Sequence, residues 1–403
     1  MVVLNFGEPP DADAAEVEAY LERIFMQNRS LEGAAGRRSD TSRGGPSDTS
    51  RGHHSATSRG SPRAASRGGT SRGGPRAASR SGPDDPGIAR ATALARARAP
   101  ALLETYRLIG PSPLNAQADA QAQALERDLR SRGWDARTYS AFQFTAPSVE
   151  SQVERARAEG IESLVALPLY PLCGRSTTVA ALDAVQAALL ALDWRPRSVA
   201  IAGWHHRPSY LRLRVDGVRA FLDAHRLDIH DADTLLYFSV HGTPVKYLDE
   251  GNRYDRYVEE HCRQVARDLG TERYGVGFQN HTNRPVDWTK PDNEKRIRDA
   301  PERRLVVVPI SFMHEQSETL GELDVELRAF AEGLGKELHR VPVPHDDPRF
   351  PVLLADLVAE AFAADKGNDA GLTPCRCRSA SGTWCTNGDR TLPPSPYTPA
   401  AGG

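Results

Sequence analysis

Apolar residues are gathered along the chain in short unbroken runs, separated by longer amphipathic stretches. The runs are "SLVALPLYPL" (163–172), "SVAIAGW" (198–204), "TLLYFSVHG" (234–242), "YGVGFQN" (274–280) and "RLVVVPISF" (304–312). Each is bounded by turn residues and rich in Val, Ile or Leu, which predicts strands buried on both faces. The stretches at 147–160, 180–192, 208–226, 253–270 and 318–335 repeat their apolar positions at helical spacing. In the last of these, Leu320, Leu323, Leu327, Phe330 and Leu334 share one helical face. Strand and helix alternate, so the prediction is α/β: two doubly wound, Rossmann-like domains built on parallel sheets. Ligands in such folds bind at the carboxyl ends of the strands.

One segment breaks the pattern. From Ser42 to Gly82 no apolar residue is larger than Ala or Pro, and Ser-Arg recurs at Ser42, Ser50, Ser58 and Ser66, with a period of eight. Such a tract buries too little to offset its ordering entropy, so a disordered insertion in a surface loop is expected. A solenoid would need an apolar stacking face, which the unit lacks. Aromatic residues are absent as well, so nucleic acid is not expected as a partner.

Charge sharpens this contrast. The 403 residues carry a formal net charge of −2, yet Arg37 to Arg80 holds ten Arg and two Asp, or +8, leaving −10 for the remainder. The first residues, "MVVLNFGEPP", read as a strand rather than a signal peptide. No apolar run is long enough for a membrane span, and a cytoplasmic location is expected.

The predicted strand ends carry titratable groups instead of nucleotide fingerprints. No GxGxxG follows a strand, and "GLGKE" lacks the spacing of a P-loop. "FSVHGTP" places His241 directly after a buried strand. "PISFMHEQSETLGELD" sets His314, Glu315, Gln316 and Glu318 between the next strand and its helix. Glu318 and Glu322, with Glu315, can line one side of that helix start. A histidine facing carboxylates suits proton removal or a divalent cation. Packing accounts for a lone histidine of this kind, and helix capping for acids at a helix start. Both at separate strand ends favour function.

Six segments, in order, resemble the ferrochelatase family: "VVLNFGEP", "ETYRLIGPSPLNAQADAQAQAL", "VALPLYPLCGRSTT", "FSVHGTPVKYLDEGNRY", "FQNHTNRPVDWTKP" and "VVVPISFMHEQSETLGELDVE". The resemblance implies insertion of Fe²⁺ into a porphyrin, protoporphyrin IX in preference to coproporphyrin III, with release of two protons. It assigns proton acceptance to His241 and the partner carboxylate to Glu318, with Glu322 and Asp324 continuing an acidic path. His241, Glu318 and Glu322 are thus the implied metal contacts. Phe6, Leu114, Trp204, Tyr254, Trp288 and Phe312 are the expected porphyrin-binding set. The domains implied are 1–177, interrupted by the insertion at 34–88, then 178–345, a C-terminal helix at 346–366 packing back on the body, and a disordered tail at 367–403. The insertion falls in the lip over the porphyrin mouth, through which the resemblance implies peripheral contact with a membrane surface. Arginines near anionic lipid contribute roughly 1 kcal/mol each.

The chain departs from the family pattern in places. Gln316 stands where a histidine is common, Gln143-Phe144 replaces an Arg-Tyr pair, and "IGPSP" is one residue short. These changes put the propionate contacts in doubt and leave two alternatives open, a coproporphyrin III enzyme and a non-catalytic tetrapyrrole-binding protein. Of the five cysteines, Cys262 lies in a helical pattern and reads as a core residue. Cys173, Cys375, Cys377 and Cys385 resemble the ligand set of ferrochelatases that carry a 2Fe–2S cluster, which takes four thiolates.

Overall fold

The computed structural model of the chain describes residues 1–31, 86–280, 286–365, 372, 375–378, 380–388 and 390–397. The repeat tract, and with it nearly all of the insertion expected at 34–88, lies outside the described residues.

Two parallel sheets form the body. The first has the order β2-β1-β3-β4-β9, from β1 (Val2–Asn5), β2 (Tyr139–Phe142), β3 (Ser163–Pro168), β4 (Arg197–Ala202) and β9 (Thr383–Cys385). The second has the order β6-β5-β7-β8, from β5 (Thr234–His241), β6 (Tyr274–Gln279), β7 (Arg304–Pro309) and β8 (Glu337–Arg340). All pairings are parallel. Strand β5 is buried from Thr234 to Val240, as expected for a strand covered on both faces.

Strand order reverses twice. From β1 the chain passes to β2 on one side and then to β3 on the other; from β5 it passes to β6 and then to β7. Side chains from the two reversal points, where doubly wound sheets leave a crevice, share one cavity. Helices α1 (Ala14–Gln27) and α2 (Pro86–Ile109) pack on each other beside it, through Val17, Tyr20, Leu21 and Phe25 against Ala91, Ala95, Ala99 and Leu102.

Strand β4 pairs with β3, Ser163 opposite Arg197 and Ala166 opposite Ala200, so the first sheet takes in a strand beyond residue 177. Alternating strands and helices do not reveal which sheet a strand joins. The tail, whose composition predicts no fold of its own, is held by the body where it is described. Its β9 extends the first sheet, with Ala200 opposite Thr383 and Ala202 opposite Cys385. Arg378 pairs with Asp183 at 2.7 Å, Arg390 with Glu260 at 2.6 Å, and the Tyr397 hydroxyl donates to Glu259 at 2.7 Å. Helix α11 (Arg349–Ala364) buries Phe350, Leu353, Leu354 and Leu357 in a core with Val3 and Val199. Among the described residues no helix is long and apolar enough to cross a membrane.

Candidate functional site

His241 ends β5, where the buried strand turns through Gly242 and Pro244. Its Nδ1 faces the Gly242 carbonyl at 2.6 Å. A carbonyl only accepts, so Nδ1 carries a hydrogen, and Nε2 is left as the atom that gains and loses a proton. That Nε2 stands 3.2 Å from Glu318 Oε1, with 29% of the His241 side chain exposed. Burial pushes the His241 pKa down, but the Glu318 charge and contact, then Glu322 and the Gly242 carbonyl, reverse this, and the net direction is up. The Tyr254 hydroxyl, 3.1 Å from both the His241 carbonyl and Ser311 Oγ, braces the strand end.

Glu318 sits on a helix that differs from the expected one. Ser317–Leu327 winds as a π-helix for 11 residues before α10 (Arg328–Gly333) continues as α. Such long π segments are rare and tend to mark functional sites. Here the winding turns Glu318 and Glu322 to the cavity while Leu323 and Leu327 stay in the core. Gln279, the register partner of His241 on β6, donates to the Glu318 carbonyl at 2.9 Å and to Glu322 Oε2 at 3.1 Å. Gln316 donates its amide to the Glu318 carboxylate.

The neighbouring acids do not join them. Glu315 accepts from Arg340 and from the Val343 N–H, both at 2.9 Å, and Asp324 lies 2.6 Å from Arg340. Arg340 therefore holds both, and neither Asp324, expected on the acidic path, nor Glu315, expected beside Glu318, lines the cavity. His314 is bonded to Gln121 at 2.7 Å, and burial, then the His345 charge, lower its pKa to about 3.

Four of the six expected porphyrin contacts line the cavity: Phe6, Tyr254, Trp288 and Phe312. The other two are core residues. Trp204 is 0% exposed, donates its indole N–H to the Pro168 carbonyl at 3.1 Å, and packs on Tyr210 and Phe350. Leu114 is 1% exposed in a cluster with Ala118 and Phe142. An aromatic after a strand looks the same in sequence whether it turns inward or toward a cleft. Among the described residues lining the cavity, Arg98 of α2 is the sole Arg or Lys. Arg98 and Glu8 were not singled out from the sequence, because neither position follows the β5 or β7 pattern that drew attention. Gln143 accepts from the Tyr170 hydroxyl at 2.7 Å, and Phe144 packs on Phe6 with centroids 4.5 Å apart. A separate cavity of about 700 Å³ at the amino ends of β3 and β4 holds none of these groups.

The four cysteines of the expected set lie where β9 and the chain before it meet the body. Cys173 is within hydrogen-bonding reach of Cys375 and Cys377, and Cys375 of Cys385. The Tyr257 hydroxyl lies 3.3 Å from Cys377 Sγ. Cys262 is buried apart from them, in the core around α8 (Tyr254–Asp268). Among the described residues no three His, Cys, Asp or Glu side chains are disposed around a single metal position.

Comparison with known proteins gives the same reading. The ferrochelatase family model matches residues 85–362, beginning where the repeat tract has ended. A ferrochelatase of Synechococcus sp. (strain RCC307) is 35% identical over 287 residues, covering 68% of this chain and 73% of that protein. One from Gloeobacter violaceus is 34% identical over 280 residues, covering 67% and 84%. The solved structure of CbiX, described as the terminal enzyme of siroheme biosynthesis in denitrifying bacteria, has a TM-score of 0.42 at 17% identity, covering 62% of this chain and 92% of that one. With a histidine–carboxylate pair in a cavity at two sheet reversals and this extent of likeness, the chain belongs to the ferrochelatase family, enzymes that insert metal into porphyrin.

Proposed function

We propose that the chain inserts Fe²⁺ into protoporphyrin IX to give haem, with His241 accepting the pyrrole protons and Glu318 stabilising the resulting imidazolium. The observation that carries this reading is the 3.2 Å pair of His241 Nε2 and Glu318 Oε1 within a cavity lined by aromatic residues. Metal entry displaces two N–H protons from the macrocycle, and a base must stand on one face to receive them. Nε2 is held in the accepting form by the Gly242 carbonyl, and each proton passes on to Glu318 and the solvent beyond it. Phe6, Tyr254, Trp288 and Phe312 grip the flat apolar ring, and remote contacts of this kind can supply the energy of bending it. Glu322 and Glu318, side by side on the π-helix, conduct Fe²⁺ toward His241.

Arg98 favours protoporphyrin over coproporphyrin. One guanidinium in the lining can pair one propionate bidentately, which leaves one propionate of protoporphyrin IX but three of coproporphyrin III without a cation among the described lining residues. A competition between the two porphyrins for Fe²⁺ under anaerobic conditions tests this; preferential formation of coprohaem would overturn it.

The four thiols fit a 2Fe–2S cluster. Each iron takes a pair of thiolates, and Cys173, Cys375, Cys377 and Cys385 supply two such pairs in mutual contact. The cluster would add stability by joining the tail to the body. A cytoplasmic enzyme with peripheral contact at a membrane surface completes the reading.

A further inference from the structure

Glu8 is a buried carboxylate that the proton path through His241 does not use. It follows the turn after β1, is 3% exposed and lines the cavity. The turn that carries it is closely built. Gly7 has φ +81°, and a Cβ there would lie 2.3 Å from Thr145 Oγ1. Asn115 clamps the next peptide, accepting from the Glu8 N–H at 3.1 Å and donating to the Glu8 carbonyl at 2.9 Å. The carboxylate then accepts three hydrogen bonds: from Ser112 Oγ, from the Ser317 N–H at 3.1 Å and from Ser317 Oγ at 2.5 Å. Ser112 precedes α3 (Leu114–Ser131), and Ser317 opens the π-helix one residue before Glu318.

We propose that Glu8 is a positioning residue for metal insertion: it ties the first turn of the π-helix to the β1 turn and so sets Glu318 against His241. This rests on the reading that Glu318 serves His241. Titratable groups facing Glu8 are Tyr20 of α1, Tyr106 of α2 and Glu318. None is a cation, and burial lifts the Glu8 carboxyl to about 7, against three hydrogen bonds that lower it. What joins Glu8 to Ser317 is hydrogen bonding, and Gln, with an acceptor oxygen and an amide that can donate to a serine Oγ, is its near equivalent.

The test compares E8A, E8Q and S317A in anaerobic haem formation, with porphyrin binding followed by tryptophan quenching. E8A is expected to lower kcat by about tenfold or more while porphyrin affinity stays within about twofold, since small misplacements cost rate rather than binding. E8Q should return kcat to within about threefold of wild type, and S317A should slow it without adding to E8A, as linked groups do. An E8Q enzyme as slow as E8A, or wild-type kinetics in S317A, overturns the proposal even should E8A fail to fold. If E318Q is itself fully active, it is the reading of Glu318 that fails; if E318Q is slow and E8A is not, it is the role of Glu8.

Discussion

His241 and Gln279 are register partners on adjacent strands, and both reach the π-helix: His241 through Glu318 Oε1 at 3.2 Å, Gln279 through the Glu318 carbonyl and Glu322. Two neighbouring strand ends thus hold one carboxylate by its side chain and by its backbone. The geometry of the base is set by the sheet rather than by a loop, which is how a site on rigid elements keeps sub-ångström placement.

Because the net direction of the His241 pKa is up, the acid limb of kcat/KM should lie above the ordinary histidine value of 6.5. The base works when neutral, so the rate rises with pH through that limb. Glu318→Gln removes the charge that contributes most to the rise. The limb should then move to lower pH while the rate falls, with little change in Tm. A limb that stays in place would mean that another group sets it.

Trp204 and Trp288 separate packing from binding. Trp204→Ala should cost about 3–5 kcal/mol of stability, as large core truncations do. The porphyrin KM of the folded fraction should be unchanged. Trp288→Ala should raise that KM with a smaller loss of stability, because Trp288 lines the cavity. Thermal melts and steady-state kinetics on both variants decide it.

The fold class was legible in the sequence because strands buried on both faces leave continuous apolar runs, and the chain has five clear ones. His241 and Glu318 were legible because each follows such a run. Leu114 and Trp204 were misplaced because burial in a core and burial against a ligand demand the same residue types. Asp324 and Glu315 were misplaced because Arg340, some sixteen and more residues away, recruits them. The π-helix was invisible, since apolar positions at 320, 323 and 327 satisfy α spacing as well. Strand β9 escaped notice because three residues with one partner strand carry no periodic signal.

Glu8 should leave a mark on stability. Its folded pKa of about 7 lies above the ordinary value of 4.5, so the native state binds more protons between those values. The associated stability is full below pH 4.5 and is lost as pH rises through about 7. Glu8→Gln cannot titrate, so the difference in Tm between wild type and E8Q should shift in favour of E8Q from pH 5 to pH 8. A constant difference would show that Glu8 does not titrate in this range.

Cys377→Ser should remove the visible absorption and acid-labile sulfide that anaerobically purified wild type is expected to carry. The tail has anchors of its own in Arg378, Arg390 and Tyr397. Loss of the cluster should therefore lower Tm while the tail remains docked and resistant to brief proteolysis. Wild-type protein without sulfide would exclude the cluster.

The central claim is that His241 takes the protons that leave the porphyrin, and anaerobic haem formation by His241→Ala tests it most directly. Alongside it, tryptophan quenching reports whether porphyrin still binds. Loss of a general base costs about 10²–10⁴ in rate, so H241A should fall by that range while binding protoporphyrin as wild type does. Haem formation within about tenfold of wild type would contradict the account, because that is less than the removal of a general base costs.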